Sequence, residues 1–135
     1  NLNLLGTREP DIYGGTTLAE IENMVKKYVK DSSFAFDLDF FQSNSEGEIV
    51  ESLQDAGKNC NGVIINAGGL THTSVIILDC LLAINIPKIE VHISNPFTRE
   101  EFRHNSYISK GVNGLICGFG ADSYLLAIDA MHKIV

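Results

Sequence analysis

The chain has 135 residues, 44% hydrophobic content and a formal charge of −7, which suits one domain with an ordinary core. The acidic balance argues against nucleic acid, because neutralising phosphates takes clustered lysine and arginine. No apolar run approaches the roughly 20 residues of a membrane helix, and no basic-then-apolar leader opens the chain.

In chain order, Asn1 to Gly6 reads as a loop where an α/β pattern calls for a strand, so a strand is expected ahead of Asn1. Arg8 to Gly15 follows as a turn-rich segment ending in two glycines. Residues 17–30 place Leu18, Ile21, Val25 and Val29 at helical spacing behind a Thr16 or Thr17 cap. Phe34 to Phe41 alternates like a strand, Ile49, Leu53 and Ala56 mark a second helix, and Val63 to Ile65 reads as a short strand buried on both faces. A third helix is expected over about residues 73–84, a strand from Pro87 to Ile93, a last strand over Gly114 to Cys117 and a last helix over 121–134. The alternation predicts one α/β domain, residues 1–135, with a parallel sheet covered on both faces. Cys60, Cys80 and Cys117 form no CxxC pair and are expected to be free buried thiols in the reducing cytoplasm.

Ligands of open parallel sheets bind beyond the carboxyl ends of the strands. Asn66 follows one such end, while His92, Ser94 and Asn95 close another, and Asn1 would follow the expected first strand. In Ile89-Glu90-Val91-His92-Ile93-Ser94 the two-residue period puts Glu90, His92 and Ser94 on one face. A carboxylate two residues from a histidine can fix the imidazole tautomer and leave its other nitrogen for acid or base work. An edge strand with a solvated polar face would show the same spacing. Arg8, five residues before Tyr13, can favour the phenolate, although the composition equally suits a surface loop with a packed tyrosine. Arg99 and Arg103 read as carboxylate clamps or as solvated helix charges. Gly118-Phe119-Gly120-Ala121-Asp122-Ser123 imitates a dinucleotide loop but follows the last strand rather than the first. The histidines and cysteines show no metal spacing.

Three segments together resemble the type II 3-dehydroquinate dehydratases. They are Asn1 to Pro10 continuing through Tyr13-Gly14, then Asn66 to Ser74, then Ile89 to Asn95 with Arg99 to Arg103 and Ser106-Tyr107. The resemblance implies a cofactor-free, metal-free lyase of the shikimate pathway and aromatic amino acid biosynthesis. It converts 3-dehydroquinate to 3-dehydroshikimate through an enolate. It implies that Tyr13 is the base, with Arg8 keeping it ionised from a mobile lid, and that Asn1 holds a water against the enolate. His92 is the implied acid, oriented by Glu90 and assisted by Asn66. Ser94 and the backbone of Ile93 take the substrate carboxylate, His72 and Arg103 its ring hydroxyls, and Arg99 closes from the lid side. Asp79 joins the substrate-binding set. The family is also flavodoxin-like, a three-layer sandwich with sheet order 2-1-3-4-5, and assembles as a cytoplasmic dodecamer of four trimers. Leu78 stands where the family commonly carries arginine, with an expected effect on subunit contacts. The competing reading is a flavodoxin-like module that binds an anion or nucleotide without catalysis; it leaves Tyr13, Glu90 and His92 without a common purpose.

Overall fold

The computed structural model describes every residue except Arg8 and, for Pro10, the backbone alone. Its elements run α1 (Pro10–Tyr13), α2 (Leu18–Asp31), α3 (Glu46–Asn59), β1 (Val63–Ile65), α4 (Val75–Ala83), β2 (Lys88–His92), β3 (Gly114–Cys117) and α5 (Asp122–His132). The helix α2 starts where the sequence provides a reciprocal cap: Thr17 Oγ1 accepts from the Glu20 N–H at 3.2 Å, and Glu20 Oε2 accepts from the Thr17 N–H at 2.7 Å.

The described strands form a parallel sheet in the order β1-β2-β3, with Ile65 opposite Glu90 and His92 opposite Cys117. Helices α3 and α4 cover one face, where Leu53, Ile65, Ile77, Leu81 and Ile108 pack together. On the other face α2 and α5 bring Ile21, Val25, Val29, Ile128 and Ala127 against Ile89, Val91 and Ile93. Full burial of Ile77 and Leu81 contributes roughly 1.5–3 kcal/mol each. The strand β2 is therefore central, and the edge-strand reading of its polar face is wrong. Glu90 is 0% and His92 7% exposed.

Phe34 to Phe41 departs from expectation. Phe34, Phe36 and Leu38 alternate inward onto the α2–α5 core, and the Phe34 ring stacks on His132 at 4.2 Å. No ladder joins this segment to the sheet among the described residues. Alternation sets which side chains face inward, but a strand also needs a neighbour about 4.8 Å away. Here a cleft lies between, lined by residues 39–44 on one side and Gly62 to Ile65 on the other. Of the cysteines, all free, only Cys80 is buried; Cys60 and Cys117 are partly exposed. No described helix is long and apolar enough to cross a membrane.

Ser74 ties the α3–α4 layer together. Its buried hydroxyl accepts from the Ile77 N–H at 3.0 Å and donates to Glu46 of α3. Ser74→Ala strands both partners and will cost about 1–2 kcal/mol, read as a lowered urea midpoint with an unchanged slope. A midpoint equal to that of the parent would remove this cap from the account of the layer.

Candidate active site

The carboxyl ends of β1 and β2 open into a cleft of about 810 Å³. Asn1, Tyr13, Asn66, His72, His92, Ile93, Ser94, Arg99 and Arg103 all line it, although they come from distant parts of the chain. The same space continues along the outer side of β1 past Cys60 and Gly62, so only its strand-end half has the polar groups of a reaction site. A second cleft shares Tyr13, Ile93, Ser94 and Arg99 with the first, which makes the Tyr13–Arg99 contact the partition between them.

Tyr13 closes α1, the helical turn that precedes Gly14 at φ +77°. That backbone region favours glycine, and it lets the chain leave the turn towards α2. Arg99 Nη1 donates to the Tyr13 hydroxyl at 2.7 Å, and the guanidinium lies 5.4 Å from the ring centroid. A guanidinium is a charged donor, and a hydrogen bond from it is stronger than one between neutral groups. Arg99 in turn stands 3.6 Å from Glu100, whose Oε2 accepts from Arg103 Nε at 2.8 Å. Its own backbone contact, then Arg103, holds the exposed Glu100 carboxyl below its ordinary value.

On the opposite wall, Glu90 points from β2 towards the 3-10 turn Ile108–Gly111. Glu90 Oε1 accepts from His92 Nε2 at 2.7 Å and from Ser106 Oγ at 3.0 Å, and Oε2 accepts from Ser109 Oγ. An ionised carboxylate can only accept, so Nε2 carries the proton and Nδ1 is the imidazole nitrogen left for a ligand. Burial pushes the Glu90 carboxyl up, but His92 and the two serines together hold it below the carboxylate norm. By linkage, the stability from this ionised network is present above the unfolded value near 4.5 and is lost as pH falls through the folded one. Burial, and then the Glu90 charge, pushes the neighbouring Cys117 thiol up, so it stays protonated at neutral pH.

Asn66 is held at both ends of its amide: Nδ2 donates to the Tyr124 hydroxyl at 2.9 Å and Oδ1 accepts from the Gly68 N–H at 3.1 Å. Burial raises the Tyr124 phenol, which keeps this partner neutral. His72 Nδ1 meets the Asn105 carbonyl at 2.9 Å. Gly118 and Gly120, at φ +90° and +61°, turn the chain beneath the end of β2 so that their N–H groups donate to the His92 and Ile93 carbonyls. The glycine pair thus serves the strand end and gives no sign of a dinucleotide.

Two expectations stand apart. Arg8 lies outside the described residues. Asp79 does not reach the cleft: Ile77, Cys80 and Leu81 take the inner face of α4, which leaves Asp79 on its exposed face with Val75, Ile76 and Leu82. Sequence reading missed Ser106, Ser109 and Tyr124 as supports of the site. The only sequence signal for the serines was their following, within one short segment, a strand that carries a buried carboxylate.

The family profile described as "Dehydroquinase class II" matches residues 1–132. The chain is 51% identical over 134 residues to the 3-dehydroquinate dehydratase of Rhizobium meliloti (strain 1021), covering 99% of this chain and 89% of that protein. It is 50% identical over 131 residues to the 3-dehydroquinate dehydratase of Prochlorococcus marinus (strain MIT 9301), covering 97% and 88%. The crystal structure of type II dehydroquinase from Butyrivibrio crossotus DSM 2876 superposes with a TM-score of 0.93 at 44% identity, covering 97% of this chain and 90% of that one.

Proposed function

The chain belongs to the class II dehydroquinase family and is a 3-dehydroquinate dehydratase, and from that premise we propose that Tyr13 and His92 divide its two proton transfers. The observation that supports this most is that Tyr13, with the Arg99 guanidinium on its oxygen, lines the same cleft as the Glu90-oriented His92. The Tyr13 phenolate takes a proton from the carbon beside the ketone, and the electron pair moves into an enolate. As the enolate collapses, the carbon–oxygen bond to the leaving hydroxyl breaks and His92 supplies the proton that completes water. Return of the Tyr13 proton to His92 resets the site. Asn1 and Asn66 line the cleft where the enolate oxygen and the leaving group would lie, and polar donors fixed there stabilise charge as it develops. The substrate carboxylate binds at Ser94 and the Ile93 backbone, and His72 and Arg103 hold ring hydroxyls. Arg99 closes the site from the lid side, and with Arg8 it supplies the positive charge beside Tyr13. Formation of the conjugated enone from 3-dehydroquinate, followed by ultraviolet absorbance, is the direct test; no absorbance change with folded protein would end the reading.

The same proposal extends to the sheet and the assembly. The proposed sheet order is 2-1-3-4-5 in a flavodoxin-like, single-domain sandwich, with β1, β2 and β3 as its last three strands. The inward alternation of Phe34, Phe36 and Leu38 and the cleft beside β1 support it. The subunits associate as a dodecamer of four trimers in the cytoplasm, and the exposed Ile76, Leu82 and Phe102 side chains supply apolar surface for such contacts.

An imine mechanism needs a lysine at the reacting carbon, and neither cleft is lined by one of the chain's lysines among the described residues. Borohydride added during turnover will therefore leave the protein mass unchanged, and chelators will leave the rate unchanged. A substrate-dependent mass increase on a lysine would replace the Tyr13 mechanism with imine chemistry.

A further inference from the structure

A carboxylate joined to one histidine can still turn about its terminal torsion, which is broad and roughly two-fold. Fixing its plane takes a second anchor on the other oxygen. Glu90 has that anchor: His92 Nε2 and Ser106 Oγ meet Oε1, and Ser109 Oγ meets Oε2. We propose that Ser106 and Ser109 are positioning residues of the dehydration, whose hydroxyls hold the Glu90 carboxylate in the plane that turns Nδ1 of His92 to the substrate. The inference rests on the division of roles between Glu90 and His92 given above.

The two hydroxyls are not interchangeable surface groups. Ser106 Oγ already accepts from the Ser109 N–H at 2.9 Å, so its own proton is committed to Glu90. Ser109 Oγ likewise has an acceptor-only partner. Their support is stiff. Between them Ile108 is fully buried, and the Tyr107 N–H donates to the Thr71 carbonyl at 2.9 Å. At the end of the turn, a Cβ on Gly111 would stand 2.9 Å from Leu81 Cβ and 3.2 Å from Leu78 Cδ1. The turn therefore sits directly on α4, and Leu78 is part of its seat. Among the described residues the titratable neighbours of Glu90 are His92 on its own strand and Cys117 on β3; Ser106, ahead of the 3-10 turn, and Ser109, within it, bring only neutral donors.

The test compares Ser109→Ala and Ser106→Ala/Ser109→Ala with the parent, each also placed in a Glu90→Gln background. Hydrogen bonds to a charged group are worth about 10- to 100-fold each. We expect the double serine variant to lose turnover on that scale with KM within about threefold, because the lost groups orient the acid and do not touch substrate. The acid limb of kcat will move to higher pH, since Glu90 without its two hydroxyl donors takes up a proton sooner. In the Glu90→Gln background the same changes will cost less than about twofold, as expected of groups that act through one another. The single variant, which disturbs less, will show the same pattern at smaller size. A parent-like kcat and acid limb in either folded variant overturns the proposal, as does an equal loss in the Glu90→Gln background. If Glu90→Gln alone turns over like the parent, the failure lies in the Glu90–His92 reading itself.

Discussion

Tyr13→Phe will lower the rate of enone formation by about 10²–10⁴, the range set by losing a general base. The substitution removes one oxygen and leaves a ring of the same shape half-buried in the same place, beneath the same Arg99 guanidinium. It removes the oxygen proposed to accept the proton, which is also the acceptor to which Arg99 Nη1 donates at 2.7 Å. Arg99 has Glu100 within 3.6 Å as an alternative counter-charge, so the loop keeps a partner and the loss should fall on kcat more than on KM. Initial rates from ultraviolet absorbance at saturating substrate separate the two. Near-parent turnover would mean that the base lies elsewhere.

His92→Ala will stop water loss on a similar scale, about 10²–10⁴, and will leave proton exchange beside the ketone largely running. In the proposed division the two proton transfers are served from opposite walls of the cleft: Tyr13 ends α1, and His92 sits on the central strand with Nε2 bound to Glu90 at 2.7 Å. Removing the acid leaves the Tyr13–Arg99 contact untouched. Glu90→Gln will cost less, because a neutral amide can still accept from Nε2 but no longer stabilises the imidazolium. Substrate incubated in deuterated water and followed by mass and absorbance tests the division. If His92→Ala abolishes exchange together with elimination, the steps are not separated as described; if both continue at the parent rate, His92 is not the acid.

The features readable from sequence were those encoded within a few residues. The period of Leu18, Ile21, Val25 and Val29 placed α2 but left its cap open between Thr16 and Thr17, and the reciprocal bonds with Glu20 put it at Thr17. The two-residue step from Glu90 to His92 placed both on one face whatever the tertiary context. Whether that face met water or core depended on β2 being flanked by β1 and β3, and that is a property of the whole sheet. The arginine on the Tyr13 oxygen comes from 86 residues away, so nearness in the chain pointed only to Arg8. Ser106 and Ser109 look like ordinary turn residues until β2 brings a carboxylate beneath them. Asp79 lies on the exposed face of α4, where the helical period places it, and does not line the cleft of its own chain. Phe34 to Phe41 had the right periodicity, yet strand formation also requires a partner.

The unequal chain separations of the contacts that build the two walls also order their assembly. The acid side closes through contacts of 2, 16 and 19 residues, whereas the Tyr13–Arg99 contact closes 86. Loop-closure entropy scales as 3/2 RT ln n, so the longer closure costs roughly 1 kcal/mol more than the 19-residue one. Contacts of low sequence separation also tend to form early in folding. A refolding chain therefore builds the Glu90–His92 wall first and acquires the Tyr13–Arg99 contact last, which under the proposed roles puts the acid before the base. Catalytic competence then marks the end of folding, when the first residues of the chain have found the turn after β2.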